Sequence, residues 1–141
     1  MILLDTDHLV ALKYSQGDEH ARLVARMLSS SDQNFVTTSI SVEEQLRGWL
    51  ALINRSPDVH RQVSAYQRLN ALIDFFAGWA RLDFDSKAAD QFTVLRSQKI
   101  RIGSMDLKIA SIALVHNLAV LTANLRDFQH VPNLRCEDWL H

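Results

Sequence analysis

Two hydrophobic patterns alternate along the chain, namely short apolar runs and longer stretches with apolar residues at helical spacing. Continuous, β-branched or alternating runs predict strands at residues 2–4, 35–38, 81–84, 118–122 and 135–136. Helical spacing predicts helices at residues 7–14, 19–28, 42–53, 59–76 and 106–115, and a further helix that Asp85 caps. Strands that alternate with helices predict an α/β fold with a mostly parallel sheet and helices on both faces.

The size and composition of the chain favour a single domain over residues 1–141. Of its 141 residues, 48% are hydrophobic, and there are only 4 Gly and 2 Pro. Such a composition can fill one sizeable core and contains no tract typical of a linker or of disorder.

Charge and cysteine content argue against several classes of protein. The net charge is −1, whereas a module that binds duplex DNA non-specifically is usually basic. The single cysteine, Cys136, permits no internal disulfide and no cysteine metal cluster, so we expect a buried thiol without a chemical role. The apolar start before Asp5 is too short for a signal peptide, and no segment is suited to span a bilayer. We therefore expect a cytoplasmic protein.

Four acidic residues occupy related places in this pattern. Asp5 directly follows the first predicted strand, and Glu44 lies early in the helix after the second strand. Asp106 opens the helix that leads into residues 118–122, and Asp127 lies just after that strand. In an open parallel sheet, the carboxyl ends of strands and the amino ends of the following helices share one edge, where ligands bind. We therefore expect these acids to meet in one crevice.

A crevice of carboxylates implies a cation. Carboxylates that lie close together repel one another, and some would take up protons unless a positive ion neutralised them. Oxygen ligands without Cys or a His motif favour a hard ion, Mg²⁺ or Mn²⁺. Such an ion suits the cleavage of a phosphodiester, because it lowers the pKa of water and neutralises charge on the non-bridging oxygens.

Each acid taken alone also has a structural explanation. Glu44 stands three residues after Ser41, which is the spacing of a capping box. Asp106, in the first turn of its helix, would interact favourably with the helix dipole. The case for a site therefore depends on the coincidence of several acids at one predicted edge.

The remaining acids differ in how easily a structural role explains them. Asp7 is expected to cap the first helix, and Asp127 could pair with Arg126 at the surface. Asp5 is harder to explain in this way, because an Asp beside a buried apolar strand is unfavourable without a partner.

The acids lie in four short motifs. These read LLDTD around Asp5, SISVEEQLRG around Glu44, IGSMDLKIA around Asp106 and LTANLRDF at residues 121–128. In this order and spacing they resemble the motifs of the PIN-domain family, specifically the VapC-type toxins of bacterial toxin–antitoxin pairs. The resemblance covers essentially the whole chain.

Three details of the resemblance bear on the site. In the family a Glu precedes a Gly by four positions, which selects Glu44 over Glu43. Asp7 stands where the family usually has Asn. In the fourth motif Asn124 stands where one version of the family has Asp, and Asp127 could then supply the fourth charge.

The resemblance also implies a fold and an activity. The fold would be a three-layer α/β/α sandwich around a central, mostly parallel sheet. The activity would be that of an endoribonuclease that needs Mg²⁺ or Mn²⁺ and cleaves structured RNA, such as transfer or ribosomal RNA, by in-line attack of an activated water. Asp5, Glu44, Asp106 and Asp127 would be the catalytic and metal-binding residues. The chain would be a toxin that forms a homodimer and whose site a cognate antitoxin protein occludes.

Other polar residues are candidates for supporting the acids. The hydroxyls of Thr6 and Thr122 could hold Asp5 or another acid in place, although each hydroxyl could equally be an ordinary feature of a strand end. Asn124 could coordinate through its carbonyl or hold a water.

Four basic residues are candidates for contacts with RNA. Lys99 and Arg101 lie in the polar loop just before Asp106, and Arg126 adjoins the fourth acid. Arg47 follows Glu44 by one helical turn and could pair with it or contact a phosphate. Solvated surface charges remain an equal alternative for these residues.

The aromatic and histidine residues point mainly to structural roles. Trp49, Trp79, Phe75 and Phe76 fall on apolar helix faces, which favours a core or a dimer interface. The six histidines show no spacing typical of a metal site. His8, which is close to the first acid in sequence, remains a candidate RNA contact.

Three alternative functions remain open at this point. A receiver domain also gathers acids around Mg²⁺, but no phosphoryl-accepting Asp and late Lys are evident. A degenerate PIN domain would bind RNA without cutting it, although such a domain would lack acids that this chain keeps. A metal-dependent phosphatase of the haloacid dehalogenase type shares the Asp-x-Asp of Asp5 and Asp7, but such enzymes are usually longer.

Overall fold

The computed structural model describes all 141 residues, from Met1 to His141. A five-stranded sheet contains β1 (Ile2–Leu4), β2 (Phe35–Thr38), β3 (Arg81–Leu82), β4 (Ala119–Leu121) and β5 (Cys136–Glu137). The strand order is β3-β2-β1-β4-β5, and every neighbouring pair is parallel. The α/β fold with a central parallel sheet is therefore confirmed.

Seven helices connect and cover these strands. They are α1 (Thr6–Lys13), α2 (Asp18–Ser29), α3 (Ser39–Arg55), α4 (Val59–Ala77), α5 (Ser86–Ser97), α6 (Ser104–His116) and α7 (Leu125–Phe128). All but the short α7 were expected from the sequence. As predicted, Asp85 caps α5, because its side chain accepts a hydrogen bond of 2.9 Å from the Ala88 N–H. The strand predicted at residues 81–84 is shorter, since Phe84 packs edge-on against Phe92 of α5 instead of pairing in the sheet.

The sheet separates two hydrophobic clusters. Successive side chains of a strand point to opposite faces, so Leu3 and Val120 join one cluster while Leu4 and Leu121 join the other. The first cluster includes the apolar interior of α6, and the second includes residues of α1, α2 and α4. Helices on both sides of one sheet give the three-layer arrangement that the family resemblance implies.

Four aromatic residues in and just after α3 and α4 belong to or pack against the second cluster. Phe76 is buried in it, and Phe75, Trp49 and Trp79 pack against it. These contacts agree with the expected role in a core or a dimer interface. Cys136, which was expected to be buried, is only half-buried at the edge strand β5.

No helix of the structure combines the length and the apolar composition needed to cross a bilayer.

Candidate metal centre

The topology creates a switch point beside β1. From β1 the chain moves to β2 and then to β3 on one side, whereas β4 returns to pair with β1 on the other side. Asp5 continues directly from β1 at this point, and its N–H donates to the Leu121 carbonyl of β4 at 2.9 Å. Residues at the end of β4 are therefore neighbours of Asp5, as an open parallel sheet requires of its ligand-binding edge.

Asp5 forms the buried part of the site. Its side chain is held by the Thr6 N–H at 2.7 Å and by the Thr122 hydroxyl at 2.9 Å, and the residue is only 5% exposed. Burial, followed by the charge of Asp7, raises the pKa of Asp5 to about 7, although both hydrogen bonds oppose the rise. The hydrogen bond from the Thr122 hydroxyl is the contact expected of a residue that holds Asp5 in place.

Glu44 reaches the site from the second turn of α3. The helix begins at Ser39 directly after β2, and Thr38 caps it by accepting a hydrogen bond from the Ser41 N–H. The predicted capping box of Ser41 and Glu44 is therefore wrong, because the helix starts too early for Ser41 to be its cap. Glu44 is left without a capping role, and its Oε1 is buried without a hydrogen-bond partner.

Asp106 enters from the first turn of α6. Its Oδ2 accepts a hydrogen bond of 3.1 Å from the side-chain amide of Asn124. Burial raises the pKa of Asp106, and the nearby charges of Asp127 and Asp7 add to this effect while Asn124 opposes it. Burial also raises the pKa of Glu44, the Thr6 side chain opposes this rise, and the charges of Asp106 and Asp7 add to it.

Asp5, Glu44 and Asp106 converge on one point. One carboxylate oxygen from each lies within 4.8 Å of the others. Three acids with raised pKa values and one unpartnered buried oxygen form a group that a cation would stabilise. The all-oxygen donor set fits a hard divalent ion such as Mg²⁺ or Mn²⁺.

Asp127 lies outside this group of three but is linked to it. The Asn124 side-chain amide donates to Oδ2 of Asp127 at 3.1 Å as well as to Asp106. Because Asn124 lies at the start of α7 and Asp127 in its first turn, the two share one helix face. The structure thus places Asn124 as a bridge between two acids, and a metal-binding role for Asp127 stays a prediction.

Asp7 is part of the site, although the sequence predicted that it would cap the first helix. The predicted cap of α1 at Asp7 is wrong, because the cap is Asp5, whose side chain accepts from the Thr6 N–H. Asp7 Oδ2 instead accepts a hydrogen bond of 2.9 Å from the Ala123 N–H, just after β4. The Asp-x-Asp spacing of Asp5 and Asp7 directly after a strand is the feature that could have placed Asp7 in the site.

His8 is not the RNA contact that was considered. Its side chain is completely buried, and both ring nitrogens have partners within the protein. The hydroxyl of Thr6 lies 3.2 Å from the Ser41 hydroxyl, so it contacts α3 while the Thr6 backbone N–H holds Asp5.

The basic candidates differ in their surroundings. Arg47 pairs with Glu43 one turn earlier on α3 and not with Glu44, so the expectation that it could orient Glu44 is wrong. Lys99 and Arg101 are exposed and, with His130, line a shallow depression. Arg126 is exposed on α7, and the structure shows no ion pair between it and Asp127.

Comparison with known proteins agrees with this architecture. Residues 2–134 match the PIN domain family. The tRNA(fMet)-specific endonuclease VapC of Salmonella typhimurium is 39% identical over 62 residues, which are 41% of this chain and 47% of that protein. The chain therefore aligns with only about half the length of this relative.

Two solved structures share the fold along their whole length. VapBC2 from Rickettsia felis, bound to a DNA fragment from its promoter, superposes with a TM-score of 0.68 at 25% identity over 99% of both chains. VapBC-1 from nontypeable Haemophilus influenzae superposes with a TM-score of 0.72 at 24% identity over 100% of both chains. Since the family match extends over nearly all of the sequence and the acids of its motifs converge at the switch point of the sheet, the chain belongs to the PIN-domain family.

Proposed function

We propose that this chain is a VapC-type endoribonuclease that depends on Mg²⁺ or Mn²⁺ and is the toxin of a toxin–antitoxin pair. The observation that carries the proposal is the convergence of Asp5, Glu44 and Asp106 within 4.8 Å in a member of the PIN-domain family. The endonuclease and ribonuclease names of the curated relatives agree with it.

The three acids would hold the ion in different ways. Asp5 is fixed by two donors and is the most buried, so it provides an anchor of defined geometry. Glu44 contributes an oxygen that no protein donor occupies, and Asp106 is oriented by the amide of Asn124. A bound Mg²⁺ or Mn²⁺ would supply the positive charge that keeps these acids ionised and would polarise water and a phosphodiester oxygen.

RNA would approach the site across a basic surface. Arg101 precedes the α6 acid, Asp106, by five residues, and the N–H of His130 donates to the Asp127 carbonyl at 3.1 Å. We therefore assign this approach to the depression lined by Lys99, Arg101 and His130. Cations at this place would attract the phosphate backbone without reading its sequence, and we propose structured RNA, transfer or ribosomal, as the substrate.

The proposed partner is a cognate antitoxin. The similar solved structures include those of VapBC2 and VapBC-1. An apolar groove between α3 and α4 is lined by residues that include Val42, Leu46, Ile73, Phe76 and Arg81. We propose that an amphipathic antitoxin segment covers this groove. A homodimer, which the family resemblance also implies, is tested by the mass of the purified chain without antitoxin.

An assay of cleavage tests the proposal. The purified chain is incubated with transfer RNA, ribosomal RNA or a generic phosphate ester, with Mg²⁺, Mn²⁺ or excess chelator. RNA should be cut only with the ion, and the ester should remain intact. Glu44→Gln should abolish cleavage, whereas the neighbouring Glu43→Gln, which affects an acid paired with Arg47, should retain it.

Each of the other outcomes has a defined meaning. Binding of RNA without cleavage would indicate a degenerate domain, and hydrolysis of the ester alone would indicate a phosphatase. Cleavage that persists in excess chelator would reject the role of the metal.

A further inference from the structure

A buried histidine links the acidic site to a distant part of the chain. The His8 ring is 0% exposed, and the Trp139 N–H donates to its Nε2 at 3.1 Å. Because Nε2 accepts this hydrogen bond, the ring proton lies on Nδ1, which donates to Asp7 Oδ1 at 2.6 Å. The Asp138 carboxylate also approaches Nε2, at 4.0 Å. His8 therefore ties Asp7 to the segment that follows β5.

That segment is itself firmly attached. Leu140 is buried in the second hydrophobic cluster, and its carbonyl accepts a hydrogen bond from Arg22 of α2 at 2.8 Å. The Trp139 ring packs edge-on against Phe35 of β2. Trp139 N–H is thus a fixed donor, and the ring of His8 has little freedom to rotate.

Asp7 connects His8 to the loop after β4 through hydrogen bonds. One of its oxygens is occupied by His8, and the other accepts from the Ala123 N–H at 2.9 Å and lies 3.4 Å from the Thr122 hydroxyl. The same Thr122 hydroxyl holds Asp5 at 2.9 Å. Asn124, at the end of this loop, bridges Asp106 and Asp127 through its side-chain amide.

We propose that Asp7 and His8 are positioning residues, which fix the loop of residues 122–124 and through it the orientation of the carboxylates that bind the divalent ion. The inference rests on the proposed function. One side chain, His8, makes two hydrogen bonds with separate consequences. The bond from Nδ1 serves the metal site, and the bond to Nε2 serves the attachment of the segment after β5.

Two conservative substitutions separate these bonds. The amide of His8→Asn can replace Nδ1 and keep the bond to Asp7 while losing the bond to Trp139. The amide of His8→Gln can replace Nε2 and keep the bond to Trp139 while losing the bond to Asp7. A purely structural role predicts that any change in metal binding follows the loss of stability in both variants.

Calorimetric titration of each protein with Mn²⁺ alone, together with its thermal unfolding, is the test. We expect His8→Gln to weaken Mn²⁺ binding roughly tenfold, as is usual when a residue that orients a metal ligand is changed. We expect His8→Asn to bind Mn²⁺ as the unaltered protein does, even if it unfolds at a lower temperature. Equal affinities in both variants and the unaltered protein, or losses that follow the unfolding temperature, would overturn the proposal.

A second measurement does not depend on the metal. The exchange of the Ala123 amide proton with solvent, measured by nuclear magnetic resonance in chelator, should be faster in His8→Gln than in the unaltered protein or in His8→Asn. The buried Leu3 amide in β1 serves as the control for global unfolding. If the unaltered protein bound no Mn²⁺, the proposed function would fail, and the exchange of Ala123 would still decide whether the link exists. Unchanged exchange in His8→Gln would reject it.

Discussion

The two sides of the acidic centre hold their carboxylates by different means. On the buried side, Asp5 is 5% exposed and is fixed by one backbone N–H and one hydroxyl. On the open side, Asp106 and Asp127 are half-buried and share the single amide of Asn124. Burial raises the pKa of Asp5 to about 7, so the buried side is where repulsion and exclusion of water are felt most strongly. A bound ion should therefore stabilise the carboxylate of Asp5 more than the carboxylates of the open side.

The largest expected effect comes from removing charge on the buried side. Asp5→Asn keeps the shape of the side chain but withdraws a ligand, so RNA cleavage should fall on the order of 10³-fold, which corresponds to about 4 kcal/mol of transition-state stabilisation. Rates measured at saturating Mn²⁺ check this expectation. Near-normal cleavage by Asp5→Asn, with the same dependence on Mn²⁺, would remove the buried side from the mechanism.

The same substitution should change how stability depends on pH. In chelator, folded Asp5 keeps a proton up to about pH 7, whereas an unfolded Asp loses it above its ordinary pKa of 3.8. The contribution of Asp5 to the free energy of unfolding therefore falls as pH rises from about 4 to about 7, by a total on the order of 4 kcal/mol. Denaturant unfolding at several pH values measures it.

The control for this pH dependence is Asp5→Asn itself. The difference between the two proteins isolates Asp5 from the other titrating groups, and the variant should be the more stable one at pH 7 in chelator. Saturating Mn²⁺ should abolish the loss of stability in the unaltered protein, because an ion that binds only the folded state stabilises it. If the difference in the free energy of unfolding between the two proteins did not change with pH, burial would not raise the pKa of Asp5.

A smaller effect is expected on the open side. Asp127→Asn should raise the Mn²⁺ concentration needed for half-maximal cleavage roughly tenfold, because it removes charge near Asp106 without removing one of the three converging oxygens. Asn124→Ala should lower the rate by misorienting Asp106, with a weaker effect on the metal requirement. Unchanged kinetics in Asp127→Asn would leave that residue as an ordinary surface acid.

The main features of the site could be predicted because topology fixes them. Once strands and helices alternate, parallel pairing brings the residue after β1 and the amino-terminal parts of helices to one edge. Asp5, Glu44 and Asp106 satisfy this rule and converge. Burial of the continuous run in β1 follows equally from its composition, since a central strand has no exposed face.

The local roles at the helix starts could not be predicted in the same way. An Asp near the start of a helix is suited to capping, and only the backbone decides whether Asp5 or Asp7 takes that place. Likewise, β2 passes into α3 without a loop, so Thr38 caps the helix and Ser41 does not. A difference of two or three residues in the helix start changed the role assigned to each acid.

Long-range contacts were equally inaccessible from the sequence. His8 and Trp139 are 131 residues apart, and no local pattern indicates that they meet. The choice of Arg47 between two adjacent acids, Glu43 and Glu44, depends on which one faces the sheet edge.

A calorimetric titration of the metal-free protein with Mn²⁺ shows directly whether the three carboxylates bind an ion. One structural fact makes Glu44 the best residue to vary, because its Oε1 has no protein partner to lose. The unaltered protein and Glu43→Gln should bind Mn²⁺ saturably, and Glu44→Gln should bind it at least roughly tenfold more weakly. Equal affinity in Glu43→Gln and Glu44→Gln, or no saturable binding by the unaltered protein, would contradict the claim that these three carboxylates form a metal site.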